Sequence, residues 1–149
     1  MSALLYDVAQ RWMGTTELSG IADNPDIIHM LTLDADWPQH DEVAWCSAAM
    51  NFWCYACCLP RTKSLLARSW LGVGQSIPLK YAVRGDVVVF ARPGINQPGP
   101  LVLDAPGHVA LFTKAGPEHV IVLGGNQSDT VSLASYESSR VLGVRRLKR

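Results

Sequence analysis

Residues 46–59 form an uncharged, largely apolar run, Cys46-Ser47-Ala48-Ala49-Met50-Asn51-Phe52-Trp53-Cys54-Tyr55-Ala56-Cys57-Cys58-Leu59. A helix over this stretch has no face for water, so it must lie inside the core. Everything else in the chain has to be arranged around it. Pro60 ends the run. Ahead of it, residues 3–13 place Leu4, Leu5, Val8, Ala9, Trp12 and Met13 at helical spacing, up to Gly14. A second short helix is expected through Ile27, Ile28, Met30 and Leu31. An acidic loop, Asp34 to Glu42, with Trp37-Pro38 inside it, then leads into the apolar run. Residues 63–72 predict a further short helix, closed by Gly72 and Gly74.

From residue 80 the pattern changes to strands. The apolar runs are 86–91, 108–113 and 119–123, with a weaker one at 130–133 and a last one at 141–146. Both faces of the second and third are apolar, so the sheet is expected to be covered on both sides. Helices first and an antiparallel sheet after define an α+β fold, with the central helix packed on the sheet. At 149 residues the chain is read as one domain, 1–149, with no internal repeat and no linker. The stretch 92–107 contains Pro93, Pro98, Pro100 and Pro106 and is a long loop of the kind that often carries function.

Composition excludes several classes. Apolar residues make up 48% and charged ones 17%, which suits a compact globular protein. No apolar stretch approaches a membrane span. The start, Met1 to Asp7, has neither the basic flank nor the apolar centre of a secretory signal. Synthesis in the cytoplasm is therefore expected, and any work outside it would require another export route. Residues 1–60 carry eight acids against Arg11, net −7, while residues 61–149 carry twelve Lys and Arg against five acids, net +7. Two solvated faces that attract each other would account for this split, and a substrate carrying both carboxylates and amines would also suit such a surface. The basic end is too short for nucleic acid, and no aromatic-studded basic stripe accompanies it. All four cysteines (46, 54, 57, 58) fall on the one apolar helix, which makes a poor disulfide framework. With no second pair, zinc is not expected, and no cofactor is implied. Cys54, Cys57 and Cys58 read as packing residues.

Cys46 differs because it opens the helix. Unpaired N–H groups and the positive end of the helix dipole favour its thiolate. Gly107-His108 and Gly125-Asn126 each sit at the edge of a strand. If Thr113 pairs with His119, His108 lies opposite Gly124, and Asn126 projects to the same face while Gln127 points away. Cys46 as nucleophile, His108 as base and Asn126 as the orienting group are then the parts of a thiol hydrolase. Trp45, Asp41 and Gln127, beside these in the chain, are the candidate substrate contacts. For Trp45 packing is the competing role, and Asn51 reads as a satisfied buried amide.

Several motifs resemble a known group. Trp45-Cys46-Ser47-Ala48-Ala49-Met50-Asn51 resembles the WCAAFVN signature of small CHAP/NlpC-type, papain-like cell-wall hydrolases. Ala67-Arg68-Ser69-Trp70-Leu71 matches their ARSWL segment and Val122-Leu123-Gly124-Gly125-Asn126-Gln127 their VLGGNQ. Arg84-Gly85-Asp86-Val87-Val88-Val89-Phe90 resembles GDIVVF, His108 lies in a GHVGF-like strand, and residues 141–146 resemble VLGYRR. Ser47 and Met50 replace the usual Ala and Phe. Gly124 stands where CHAP relatives often have Glu, so the third role rests on Asn126. The resemblance implies a papain-like fold and a peptidoglycan stem peptide as substrate. It implies a cysteine peptidase or amidase, with an endolysin or an injected antibacterial effector as the setting. An effector would have a cognate inhibitor protein as partner. The alternatives are a catalytically inactive wall-binding or phage structural module, and a redox protein using Cys54 and Cys57.

Overall fold

The computed structural model describes residues 2–18, 23–34, 37 and 45–149. Three helices come first: α1 (Ser2–Gln10), α2 (Pro25–Leu31) and α3 (Cys46–Ala56). Asn24 caps α2 by accepting from the Asp26 N–H, and Pro25 occupies the first helical position, where no N–H is needed. Six strands follow: β1 (Gln75–Ile77), β2 (Val87–Ala91), β3 (Gly107–Ala115), β4 (His119–Gln127), β5 (Thr130–Glu137) and β6 (Val141–Arg146). They form one antiparallel sheet in the order β1-β6-β2-β3-β4-β5.

The apolar run at 46–59 does lie at the centre. Eight residues of α3, from Cys46 to Asn51 with Trp53 and Cys54, are buried. The helices cover one face of the sheet, through Val87, Val89, Val109, Leu111 and Leu123. Val88, Phe90, Ala110, Phe112, Val120 and Val122 point the other way. Among the described residues no α-helix covers that second face, and Leu79 of a short 3-10 turn packs on it. Ile77 of β1 and Tyr136 of β5 come from opposite edges of the sheet and both pack on it, so the sheet curls over itself. This is how β2 becomes buried at every position. Asp86, wholly buried, fastens the start of β2 to the end of β6. Arg146 donates to it through Nε (2.9 Å to Oδ1) and Nη2 (2.8 Å to Oδ2).

Four expectations change. Cys57 and Cys58 lie beyond α3, and Cys58, read as a packing residue, is exposed because the chain turns there with φ +55°. The helix expected over 63–72 is a 3-10 turn, Ala67–Gly72. The Ser64 carbonyl is taken by the Ser47 hydroxyl (2.6 Å) and the Asn51 amide (3.2 Å), and Lys63 has φ +56°, so the segment cannot start an α-helix. The weak fourth run extends to Glu137. It was faint because β5 is an edge strand whose burial alternates. The β3–β4 register is Leu111↔Leu123 and Phe112↔Val122, two residues from the expected pairing, with a bulge after Phe112. A slip of two keeps each side chain on its face, whereas a slip of one would not.

Candidate active site

α3 presents Cys46 as its first residue, against the start of β3. Cys46 is 3% exposed and the neighbouring His108 is 4% exposed. The His108 imidazole and the Val109 N–H both act on the thiol and favour its ionised form. Burial by itself pushes this thiol up. The His108 bond and charge, the Val109 N–H and the Arg92 charge together outweigh burial, and the net shift is downward.

The imidazole is held on its other side by Gln127. Its Nε2 lies 2.9 Å from Gln127 Oε1, and the Gln127 amide nitrogen donates to the Ser132 carbonyl at 2.6 Å. With that nitrogen committed, Oε1 must face the ring and accept, so Nε2 carries the proton. Nδ1 is left for the sulfur. Phe90 (centroid 6.2 Å away) and Tyr136 (5.3 Å) pack beside the ring and against each other (4.9 Å).

The orienting bond therefore belongs to Gln127 and not to Asn126. The reason is a bulge. β4 pairs with β5 at Gly124↔Ser132 and again at Gln127↔Thr130, which leaves one extra residue on β4. Asn126 takes up that irregularity with φ +56°, a conformation asparagine tolerates better than most residues. The extra residue turns Gln127 to the face that simple alternation gives Asn126. Gly124 makes room for it. A Cβ there would lie 2.9 Å from Gln127 Oε1 and 2.7 Å from the Ala110 Cβ.

The candidate substrate contacts fare differently. Trp45 is fully buried, and its indole donates to Glu17 Oε1 at 2.7 Å. Its six-membered ring packs under Gly125, where an added Cβ would lie 2.7 Å from the ring. It has no open face for a ligand, so packing is its place. Gln127, 3% exposed, is turned to His108 rather than to a ligand. Asp41 lies outside the described residues. Asn51 is buried, with its amide donating to the Ser47 carbonyl (2.9 Å) and accepting from the Lys63 N–H (2.8 Å).

Cys46 opens on a small cleft of about 180 Å³, lined by Leu65, Leu66, Ala67, Arg92, Pro106 and Gly107. Both ends of the 92–107 loop thus border it. Arg68, wholly buried, holds that loop. Its guanidinium donates to the carbonyls of Pro98 (2.8 Å), Gly99 (2.8 Å), Val102 (3.1 Å) and Pro106 (3.0 Å). Neither Arg68 nor Arg92 stands out in the sequence as a site residue. The signals in the sequence are a charged residue inside the short uncharged stretch Ala67 to Leu71 and another directly after the apolar run 86–91. Among the described residues no cluster of His, Cys, Asp or Glu is arranged to hold a metal.

The architecture is that of the NlpC-type papain-like fold, α+β with a cysteine-bearing helix against an antiparallel sheet. Solved structures place it there. NlpC1 from Trichomonas vaginalis superposes with a TM-score of 0.59 at 16% identity, over 99% of this chain and 45% of that one. The peptidoglycan hydrolase RipB from Mycobacterium tuberculosis gives 0.54 at 16% identity, over 97% and 63%. A P60 domain from a Mycobacterium avium subspecies paratuberculosis antigen gives 0.53 at 14% identity, over 97% and 93%. The chain thus spans less than two-thirds of the first two proteins and nearly all of the P60 domain. No family model and no curated protein matches the sequence.

Proposed function

We propose that this protein is a cysteine hydrolase that cleaves an amide bond in the peptide part of peptidoglycan. The observation that carries the reading is the linked set Cys46, His108 and Gln127, at the mouth of a cleft. The likeness in fold to RipB, itself a peptidoglycan hydrolase, supports the substrate class. The motif resemblance points the same way.

In this mechanism His108 Nδ1 takes the thiol proton and remains as imidazolium beside the thiolate. Gln127 keeps Nε2 protonated and the ring aimed at sulfur. The thiolate attacks the substrate carbonyl carbon. The first N–H groups of α3 have no intrahelical acceptor and can bind the developing oxyanion. The imidazolium gives its proton to the departing amine as the C–N bond breaks, leaving a thioester on Cys46. Water, deprotonated by the same ring, attacks the thioester and releases the acid. An endopeptidase and an amidase share these steps. Their products differ in which group carries the new amine. A phage-type lysin and a secreted antibacterial effector are the two settings this activity suits, both acting at the cell wall.

Incubation with peptidoglycan fragments, read by mass spectrometry, tests the reading. New amine and carboxylate termini are expected with the wild type and none with Cys46→Ala. Intact fragments after prolonged incubation with wild type would favour the inactive wall-binding alternative, and equal cleavage by the variant would remove Cys46 from the chemistry.

A further inference from the structure

We propose that Arg92 and Arg140 form a carboxylate subsite beside Cys46, so that the preferred substrate bears a free carboxylate on a residue adjoining the scissile amide. The inference rests on the hydrolase reading and narrows its substrate.

Next to the Cys46 cleft lies a larger hollow of about 520 Å³, and Arg92 lines both. Arg140 lines the hollow too. The two cations reach it from different elements, one from the end of β2 and one from the 3-10 turn Ser138–Arg140. Arg140 is fixed in place. Its Nε donates to the Ala91 carbonyl at 3.0 Å, and its guanidinium lies over the Tyr136 ring at 5.2 Å from the centroid. That bond uses one of its five donors, and its terminal nitrogens make no hydrogen bond with any described residue. Arg92 is exposed and makes no hydrogen bond or ion pair with any described residue. Glu137 is the one acid among the described residues lining the hollow, so a net positive charge remains there.

Thiol activation alone does not account for Arg92. Its pull on Cys46 is the weakest of those acting on the sulfur, behind His108 and Val109. Both arginines also act on Tyr136, whose hydroxyl burial pushes up while Arg140 and Arg92 draw it down. They therefore share one neighbourhood, and Tyr136 bridges it to His108. Two guanidinium forks with free donors, beside a nucleophile, suit a planar anion of two oxygens. In a peptide substrate that anion is a carboxylate. The cleft wall is apolar at Leu65, Leu66 and Ala67 and cationic at Arg92. Such asymmetry orients a substrate as well as binding it.

The test uses pairs of synthetic stem peptides that differ only in one carboxylate, free or amidated. One pair carries it on the acyl side of the scissile bond and another on the amine side. The ratio of kcat/KM within each pair is the readout, because general effects on thiol activation cancel in it. In one of the pairs the wild type is expected to favour the free acid by about tenfold or more, the size of a charge-assisted contact. Arg92→Gln should bring that ratio near unity, and Arg92→Glu should favour the amide. Arg140→Gln gives an independent second variant with the same expected collapse. Melting curves check that each variant is folded. Wild-type ratios near unity in both pairs, or a preference that survives Arg92→Gln and Arg140→Gln, overturn the subsite and leave the hydrolase reading standing. If wild type cleaves none of the peptides and also leaves peptidoglycan intact, the hydrolase reading fails and the subsite with it. If it cleaves peptidoglycan but none of the peptides, the subsite alone is overturned.

Discussion

Cys46 and Cys54 share helix α3 and are both buried, yet their thiols shift in opposite directions. Cys54 is pushed up, first by burial and then by the nearby Cys57, with Arg61 too weak to offset them. Cys46 meets the same burial and ends below the ordinary thiol value. The difference comes from what faces each sulfur. An imidazole, a strand N–H and an exposed arginine surround the first, and packed side chains surround the second. A helix that looks uniform in sequence thus holds a thiol biased toward the thiolate at its start and one biased toward the neutral form near its end.

Removing the imidazole should break the contrast most completely. In His108→Ala, burial acts on Cys46 with only Val109 and Arg92 against it, so its thiol should move up toward the behaviour of Cys54. Alkylation of Cys46 by iodoacetamide at neutral pH should fall on the order of a hundredfold, since each unit of pKa is a tenfold change in thiolate. The pH dependence follows in sign. Wild-type Cys46 should stay reactive below the pH at which an ordinary thiol fades, and in His108→Ala the inflection should move to higher pH. An unchanged rate profile would mean that His108 does not set the reactivity of the sulfur.

The next largest effect concerns how the ring is held. Gln127→Ala frees His108 Nε2 and should lower kcat by about tenfold to a hundredfold, with KM little changed. Asn126→Gly suits the φ of that position and should stay within about 0.5 kcal/mol of wild-type stability, with near-normal activity. The reverse pattern, an inactive Asn126→Gly and an active Gln127→Ala, would return the orienting role to Asn126.

That pair also shows where the sequence stops being informative. The central helix, the position of Cys46 at its start and the strand that carries His108 near its beginning follow from apolar spacing and punctuation, because local pattern decides them. The choice between Asn126 and Gln127 does not. It turns on one extra residue in β4, and period-2 reasoning cannot see a bulge that only the partner strand reveals. Trp45 could be read either way, and the Glu17 carboxylate that fills its one polar need comes from a distant segment. Arg68 looked like one residue of a short helix. Its role depends on four carbonyls thirty or more residues away in sequence, at 30, 31, 34 and 38 positions' separation. Buried cations of this kind are visible only after the chain has folded back.

Arg68 offers a third test, because it holds the loop that leads into His108. Arg68→Met keeps much of the buried volume and leaves those carbonyls without their donor. Stability should fall by about 3 kcal/mol, measured by urea denaturation. Hydrogen exchange across 92–107 should speed up, and kcat/KM should drop several-fold through looser placement of Pro106 and Gly107 at the cleft. Unchanged exchange in the loop would show that its prolines suffice to hold it.

Cys54 supplies the smallest expected effect and the cleanest control. Its sulfur is 0% exposed and contributes packing at the inner end of α3. Cys54→Ala removes one buried sulfur and should cost about 1–2 kcal/mol through the cavity left behind. Its kcat and the alkylation rate of Cys46 should both match wild type, since nothing facing the Cys46 sulfur has moved. A redox role for Cys54 with Cys57 requires the opposite. Oxidant would then alter the wild type and spare Cys54→Ala, and a Cys54–Cys57 disulfide would appear in a non-reducing peptide map. The burial that pushes both thiols up works against that outcome, because an uncharged thiol is a poor nucleophile toward any oxidant that reaches it.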